Sequence, residues 1–286
     1  MPPRVQQLGD LSGSLLVFGG PYSNLQATQA IKRVADTLGI PPERTVCTGD
    51  IVAYCADPAA TLDLVRDWGI HVVKGNCEES LAAGALDCGC GFEQGTVCSA
   101  LAVDWYRYAS EQVSAEQRAW LRQLPSRIDL TWEGRSMAVI HGGLEVINRF
   151  IFPSASNDQI VREMELAPVD LVVGGHSGIP FGRQLDDRAW LNAGAIGLPA
   201  NDGTRDGWYL LLEPTTSGSQ ASWHRLVYDA EQAAAAMRNR GLSGGYGNTL
   251  LTGLWPSLDV LPEQERREQG VPLSLPAMTG HGKGRI

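Results

Sequence analysis

Four polar side chains of metal-ligating type recur in this sequence, each beside at least one glycine. They are Asp50, Asn76, His141 and His176. One carboxylate, one amide oxygen and two imidazoles form a mixed oxygen and nitrogen ligand set, which suits Zn, Mn or Fe. The residue types therefore predict a site for a divalent transition metal, provided that the fold brings them together.

Each of these four residues follows a short apolar run that is typical of a buried β-strand. The runs are TVCT before Gly49-Asp50, HVVK before Gly75-Asn76, MAVI before His141, and LVV before Gly174-Gly175-His176. Ligands bind at the carboxyl ends of the strands in open α/β sheets, and glycine lets the backbone approach closely there. A single such residue would be explained by a turn or a structural hydrogen bond. Recurrence at four strand ends indicates a shared site.

The remaining pattern predicts the elements that position these strand ends. Apolar spacing favours helices over 25–38, 58–68 and 229–240, and capping patterns predict further helices that begin after Ser114 and Ser156. Short strands near 188–192, 207–213 and 221–227 suit a second, mixed sheet. We expect an α/β fold, namely a four-layer α/β/β/α sandwich of two packed mixed sheets. We expect this domain to span 1–240, with a C-terminal extension and loosely held tail over 241–286.

Composition restricts the class of protein. The 286 residues are 43% hydrophobic and 19% charged, which is normal for a globular protein. The formal net charge of −9 argues against a nucleic-acid scaffold, although a metal ion can still attract a small anionic substrate locally. No apolar run has the length of a membrane span or a signal peptide, so a cytoplasmic location is expected. The oligomeric state stays open.

The order of the motifs resembles that of the calcineurin-like metallophosphoesterase superfamily, in particular its small bacterial phosphodiesterase-like branch. The motifs are GDIVAY at 49–54 with DP at 57–58, GNCE at 75–78, HG at 141–142, GHSG at 175–178 and NAGAIG at 192–197. They are similar to the family segments GDxVGY…DP, GN[HC][DE], VxHG, GHTH and NPGSVG. The resemblance implies a metal-dependent phosphoesterase that hydrolyses a small phosphomonoester or phosphodiester.

The departures from the family pattern all concern one of its two metals. The family opening SDxHGN places an aspartate where this chain has Gly20 and a histidine where it has Tyr22. The second histidine of GHTH is Gly178 here. These losses remove every ligand that belongs to the first metal alone, whereas Asp50, Asn76, His141 and His176 correspond to the ligands of the second. The resemblance therefore implies a rebuilt site with one Mn, Fe or Zn ion per chain.

Two further residues are candidates for a catalytic role. Cys77 stands where many relatives place the histidine that assists the leaving group, and other relatives also have cysteine there. Tyr22 could be a replacement ligand, a hydrogen-bond donor to a substrate oxygen, or a filler of the space left by the first metal.

The cysteines raise a second hypothesis. Cys88, Cys90 and Cys98 lie in the segment DCGCGFEQGTVC, and Cys55 and Cys77 lie within the motifs. Thiolates favour Zn, Cu(I) or an iron–sulfur cluster, so these five residues could form a second metal or redox site. Alternatively, CGC is a tight loop and the others are small buried residues.

Substrate binding is weakly specified by the sequence. Lys74, Arg149, Arg183 and Arg205 lie near the motif loops and are candidates for phosphate contacts, although most arginines are simply solvated. The main alternative to hydrolysis is a non-hydrolytic module that keeps the fold and one metal and senses a nucleotide, a metal or redox state. Non-phosphate chemistry at a single iron is a third possibility.

Overall fold

The computed structural model describes residues 4–216, 218–242 and 245–281. Twelve strands occur in these ranges: β1 (Val5–Leu11), β2 (Leu15–Phe18), β3 (Thr45–Cys47), β4 (His71–Val72), β5 (Arg127–Trp132), β6 (Arg135–Ile140), β7 (Leu171–Gly174), β8 (Phe181–Leu185), β9 (Arg188–Asn192), β10 (Gly207–Thr215), β11 (Gly218–Leu226) and β12 (Met278–His281). Nine α-helices occur in the same ranges: α1 (Leu25–Leu38), α2 (Pro58–Trp68), α3 (Asn76–Ala83), α4 (Val97–Gln112), α5 (Ala115–Gln123), α6 (Asn157–Met164), α7 (Ala230–Asn239), α8 (Tyr246–Thr252) and α9 (Glu263–Arg267).

The strands form two mixed sheets of six strands each. The first sheet has the order β1-β5-β6-β7-β9-β8, in which β6, β7 and β9 are parallel neighbours. The second has the order β12-β11-β10-β2-β3-β4, in which β2, β3 and β4 are parallel and the remaining pairs are antiparallel. The prediction of two mixed sheets is confirmed, but the strands predicted near 188–192, 207–213 and 221–227 do not share one sheet, because β9 lies in the first sheet and β10 and β11 lie in the second.

The two sheets pack face to face, and alternate residues of their strands fill the space between them. In β2, Leu15 and Val17 belong to this inter-sheet core, whereas Leu16 and Phe18 belong to the core under the helices. Because side chains alternate between the two faces of a strand, a strand covered on both faces is apolar throughout. This explains why the sequence of β2 is apolar at every position.

Helices cover the outer face of each sheet. Helices α1, α2, α3, α4, α7 and α8 contribute to the core on the outer face of the second sheet. On the first sheet, Ile160 and Met164 of α6 pack with Val172 and Trp190. The predicted α/β/β/α sandwich is therefore confirmed.

Capping side chains stand at the starts of several helices, including the two predicted after Ser114 and Ser156. The Asn24 side chain accepts a hydrogen bond from the Ala27 N–H at the start of α1. At α5, Ser114 and Gln117 form the complete capping box, whereas at α6 the Ser156 side chain caps the helix through the Gln159 N–H. These bonds satisfy backbone donors that a helix leaves free at its first turn.

The segment after residue 240 contributes to the main core. Tyr246 and Leu250 of α8 are buried there, and β12 extends the second sheet beside β11. The division into a domain over 1–240 and an extension stays a prediction, and residues 282–286 of the expected tail lie outside the described residues.

None of the helices in the described ranges has both the length and the hydrophobicity that crossing a membrane requires. The expected cytoplasmic location stays a prediction.

The inter-sheet core gives a direct test of this packing. Leu191 of β9 is fully buried between the sheets, whereas Leu86 is fully exposed. We expect Leu191→Ala to lower the free energy of unfolding by about 2–5 kcal/mol, because it removes buried methyl groups and leaves a cavity. The matched control Leu86→Ala should change it by less than about 0.5 kcal/mol. Urea denaturation measures both, and equal effects would contradict the packing described here.

Candidate metal centre

The four predicted ligand residues follow four strands whose carboxyl ends meet at one edge of the sandwich. Asp50 and Asn76 follow β3 and β4 of the second sheet. His141 and His176 follow β6 and β7 of the first sheet. The structure thus brings together side chains that are separated by up to 126 positions in the chain, from 50 to 176.

The ligand atoms of these residues face one another. His141 Nε2 lies 3.0 Å from Asn76 Oδ1, 3.0 Å from His176 Nδ1 and 3.3 Å from Asp50 Oδ2. The distance between His176 Nδ1 and Asp50 Oδ2 is 3.9 Å. Among the described residues, Asp50, His141 and His176 are the only group of three or more His, Cys, Asp and Glu side chains placed to hold a metal ion.

Hydrogen bonds on the far side of three of the four candidate ligands orient them toward this point. His141 Nδ1 lies 2.7 Å from the Thr48 carbonyl oxygen, and this contact places the proton on Nδ1 and leaves Nε2 free. Asn76 Nδ2 donates to the Cys88 carbonyl oxygen at 3.0 Å, so Oδ1 points inward. The Cys77 N–H donates to Asp50 Oδ1 at 3.3 Å and leaves Oδ2 available.

The result is a buried set of oxygen and nitrogen atoms that face one another at short distances. The side chains of Asp50, His141 and His176 are only 5%, 1% and 4% exposed. Buried acceptors require a partner, and acceptors that face one another at such distances are satisfied by a shared cation. Two imidazole nitrogens, one carboxylate oxygen and one amide oxygen fit a divalent transition metal.

The electrostatics of the centre follow from burial and from the short distances. Burial alone would raise the pKa of the Asp50 carboxyl, but the His141 and His176 rings hold it below its usual range. Burial alone would lower the pKa of His141, but the Asp50 carboxylate raises it. For His176, burial and the neighbouring His141 ring lower the pKa, which keeps that imidazole neutral. A neutral imidazole is the form that ligates metals.

Two ligands stand on unusual backbone. Asp50 has φ 54° and His176 has φ 59°, in the left-handed region that residues other than glycine rarely adopt. Such conformations cost about 1–3 kcal/mol each and cluster at functional sites. The loops are also close together, because a Cβ at Gly75 would lie 2.3 Å from Asp50 Oδ1. Only glycine fits at that position of the Gly75-Asn76 motif.

Glu78, the last residue of the GNCE motif, has a supporting role that the sequence did not predict. Its fully buried carboxylate accepts the backbone N–H groups of Asp50 at 2.7 Å, Gly75 at 2.9 Å and Val52 at 3.2 Å. It therefore ties the loop that carries Asp50 to the loop that carries Asn76. Burial and the Asp50 carboxylate raise the pKa of Glu78 to about 7. The available signal was an acid in the first turn of α3, two residues after a ligand.

Tyr22 occupies the space beside Gly20. A Cβ at Gly20 would lie 2.4 Å from Cζ of the Tyr22 ring. A Cβ at Gly178 would lie 3.5 Å from Trp255 and 3.9 Å from the Tyr22 hydroxyl. Burial and the Asp50 carboxylate raise the pKa of Tyr22 well above its usual value, so the phenol is neutral. The Tyr22 ring thus lies where a side chain at residue 20 would project, and the Trp255 ring lies close to where one at residue 178 would project.

Cys77 lies behind the ligands. Its side chain is fully buried, and its sulfur lies 3.5 Å from Asn76 Nδ2. Burial, with the Asp50 and Glu78 carboxylates, raises the pKa of this thiol well above its usual value. Its predicted catalytic role, like that of Tyr22, stays a prediction.

The cysteines do not gather into a second metal site. Cys88 and Cys90 are joined by a disulfide, and Cys55, Cys77 and Cys98 are separate buried thiols. Within the part of the chain that the structure describes, no group of three cysteines is placed to surround an ion. The alternative of a CGC loop with small buried cysteines elsewhere fits the structure.

Three of the basic candidates are engaged within the protein. Arg149 pairs with Glu163 at 2.7 Å, and Arg205 pairs with Glu231 at 2.8 Å. Arg183 donates to the Asn157 side chain at 2.7 Å. Lys74 directly precedes the Gly75-Asn76 loop. Phosphate contacts by these residues stay a prediction.

Comparison with known proteins identifies the fold and the family. The chain is 26% identical over 257 residues to the uncharacterized protein MJ0912 of Methanocaldococcus jannaschii, covering 84% of this chain and 98% of that protein. It superposes on a metallophosphoesterase from Sphaerobacter thermophilus with a TM-score of 0.66, 23% identity and coverage of 85% and 100% of the two chains. It superposes on the hypothetical protein PH1004 from Pyrococcus horikoshii with a TM-score of 0.71, 15% identity and coverage of 85% and 99%. Residues 23–217 match the family model of the calcineurin-like phosphoesterase superfamily domain, and the chain therefore belongs to this superfamily.

Proposed function

We propose that the protein is a metal-dependent phosphoesterase that hydrolyses a small phosphomonoester or phosphodiester. Asp50, Asn76, His141 and His176 would hold one Mn, Fe or Zn ion. The observation that carries this proposal is the convergence of four buried side chains on one point, three of which are oriented from behind by a hydrogen bond. When bound, such an ion supplies Lewis-acid polarisation of a phosphoryl oxygen and lowers the pKa of water.

The contribution of the chain itself is orientation and proton donation. The Thr48 carbonyl and the Cys77 N–H hold His141 and Asp50 in fixed directions, which preorganises the centre. Of the two candidate catalytic residues, Tyr22 lines the cavity beside the centre, whereas Cys77 does not. The neutral Tyr22 hydroxyl would donate a hydrogen bond to a substrate oxygen, and Cys77 would pack behind Asn76.

A single ion is favoured by the position of the Tyr22 ring. The ring stands where the side chain of residue 20 would enter the site, and Gly20, Tyr22 and Gly178 offer no carboxylate or imidazole. The neutral phenol is a weak replacement ligand, since oxygen ligation would require it to lose its proton.

Removal of one ligand tests the function. We expect the protein purified without added metal to carry about one equivalent of a transition metal and to hydrolyse an aryl phosphodiester. His141→Ala should lose at least about 100-fold in metal affinity and in activity, because a direct ligand is at least as important as the outer-shell groups that orient it. Elemental analysis and a phosphodiesterase assay measure the two effects.

His224→Ala is the matched control, since His224 lies on β11 and contacts Ser222 rather than the centre. This variant should keep both metal and activity. Full metal binding by His141→Ala would contradict the proposed centre. Tight metal binding without hydrolysis of any ester in a broad phosphate panel would favour the non-hydrolytic sensing module instead.

Replacement of Gly20 and Tyr22 by metal-ligating residues tests the single-ion proposal. Gly20→Asp alone should lower the free energy of unfolding by about 1–3 kcal/mol, because its Cβ would collide with the Tyr22 ring. Gly20→Asp combined with Tyr22→His should recover part of this loss and bind a second equivalent of metal. Denaturation and elemental analysis measure both properties.

Gly39→Asp is the control that separates the effect of the collision with the Tyr22 ring from the effect of backbone strain. Gly39 also has a positive φ, 64°, but nothing lies within 4 Å of its added Cβ. Non-additivity between the Gly20 and Tyr22 substitutions is expected, at about 0.5–3 kcal/mol. Two tightly bound ions in the unmodified protein would refute the single-ion proposal.

Substitution of Glu78 tests whether its carboxylate holds together the loops that carry Asp50 and Asn76. Glu78→Gln would place an amide NH₂ against backbone N–H groups, so we expect a loss of about 1–3 kcal/mol in stability. Metal affinity should fall about 10–100-fold, as it does when outer-shell groups are changed. The neighbouring, exposed Glu79 provides the matched control Glu79→Gln, which should change neither property. An unchanged metal affinity in Glu78→Gln would show that the loops do not depend on this carboxylate.

A further inference from the structure

A cavity opens directly beside the metal centre. Its volume is about 50 Å³, and it opens to solvent. His176, one of the candidate ligands, forms part of its wall, so the cavity is continuous with the centre. Whatever binds at the centre therefore has this space next to it.

Aromatic side chains form much of the wall. Phe150 stacks on the His176 ring with centroids 4.2 Å apart, which joins one wall of the cavity to the centre. On another side, the Tyr22 ring meets Tyr54 edge to face at 4.9 Å, and Tyr54 contacts Tyr246 at 4.4 Å. Rings that contact one another in this way form a rigid wall, and aromatic side chains favour stacked and edge-to-face contacts with a further ring.

Trp255 forms another part of the wall and is held at two points. Its indole N–H donates to the Pro199 carbonyl oxygen at 2.7 Å, and its backbone N–H donates to the Asn201 side chain at 2.8 Å. The six-membered part of the indole lies near Gly178, where a side chain would project toward it. The absence of a Cβ at Gly178 therefore helps to keep this space open.

The wall carries no formal charge in its described residues. None of those that line the cavity is Lys, Arg, Asp or Glu. A charged group that entered this space would lose hydration without gaining a partner, whereas an apolar ring would gain from burial. The charge of a phosphoester would have to stay at the metal centre, with only an uncharged group in the cavity.

We propose that this cavity binds the uncharged aromatic group of an aryl or benzyl phosphoester whose phosphate lies at the metal centre. This inference rests on the proposed phosphoesterase function and names the substrate class. Trp255, Tyr22 and Phe150 would contact the ring and act as specificity-determining residues. The side chains lost from the first-metal positions would thus have been replaced by a surface for an apolar substituent.

The test compares two phosphonates that the protein cannot hydrolyse. Benzylphosphonate and ethylphosphonate carry the same anionic head, and the former adds a ring. Calorimetry on the metal-loaded protein should show at least about tenfold tighter binding of benzylphosphonate, since burial of about 60 Å² of ring surface is sufficient for this ratio. Trp255→Ala should reduce the ratio to within about twofold, and Trp255→Phe should retain part of it.

Trp120→Ala is the control, because Trp120 lies on α5 and does not line the cavity. It should leave the ratio unchanged. Equal binding of the two phosphonates by the unmodified protein would overturn the cavity proposal, as would a preference that survives in folded Trp255→Ala. If Trp255→Ala does not fold, the affinity ratio of the two phosphonates in the unmodified protein and in Trp255→Phe still tests the cavity proposal.

Hydrolysis is measured separately with benzyl phosphate and ethyl phosphate. A Trp255-dependent preference in binding without hydrolysis of either ester would support the cavity proposal and count against the proposed function. Hydrolysis of both esters without any preference for the ring would support the function and overturn the cavity proposal.

Discussion

The close approach of four buried polar side chains at the end of the two sheets is the constraint on which the structure of the centre depends. His141 Nε2 faces an amide oxygen, a carboxylate oxygen and a second imidazole nitrogen within 3.3 Å. Away from water, such an arrangement is unfavourable unless a positive charge lies among the acceptors. The carbonyl oxygens of Thr48 and Cys88 nevertheless hold two of the ligands in this direction. The fold therefore favours a positive charge at this point, which a bound metal ion would supply.

The rest of the fold supplies the rigidity that this arrangement needs. Asp50 and Asn76 follow parallel strands of one sheet, and His141 and His176 follow parallel strands of the other. Apolar packing between the sheets fixes the distance between the two pairs. The left-handed turns at Asp50 and His176 store strain that packing and hydrogen bonds offset. Glu78 is central, because one carboxylate satisfies backbone groups from two of the ligand loops.

Much of this could be predicted from the sequence, since the information was local. The apolar runs that end in glycine and a ligand-type residue identified the strands and the four side chains that the structure brings together. Glu78 stands in the GNCE motif, but its role was not predicted, because a buried acid has no periodicity of its own and this one bonds to backbone groups about 28 positions away. β1 was missed because its residues alternate only weakly in burial, and its pairing with β5 joins segments about 120 residues apart. For the five cysteines the sequence left two alternatives open, and the fold forms the CGC loop with separate buried thiols rather than a cluster.

The segments that surround the cavity have an evolutionary consequence. The stretch that matches the family begins at residue 23, directly after Tyr22, and ends at 217, before Tyr246 and Trp255. The four candidate ligands thus lie within the stretch that matches the family model, whereas Tyr22, Tyr246 and Trp255 of the cavity wall lie outside it. Substitutions in these flanking stretches could change what the cavity accepts while all four candidate ligands are retained.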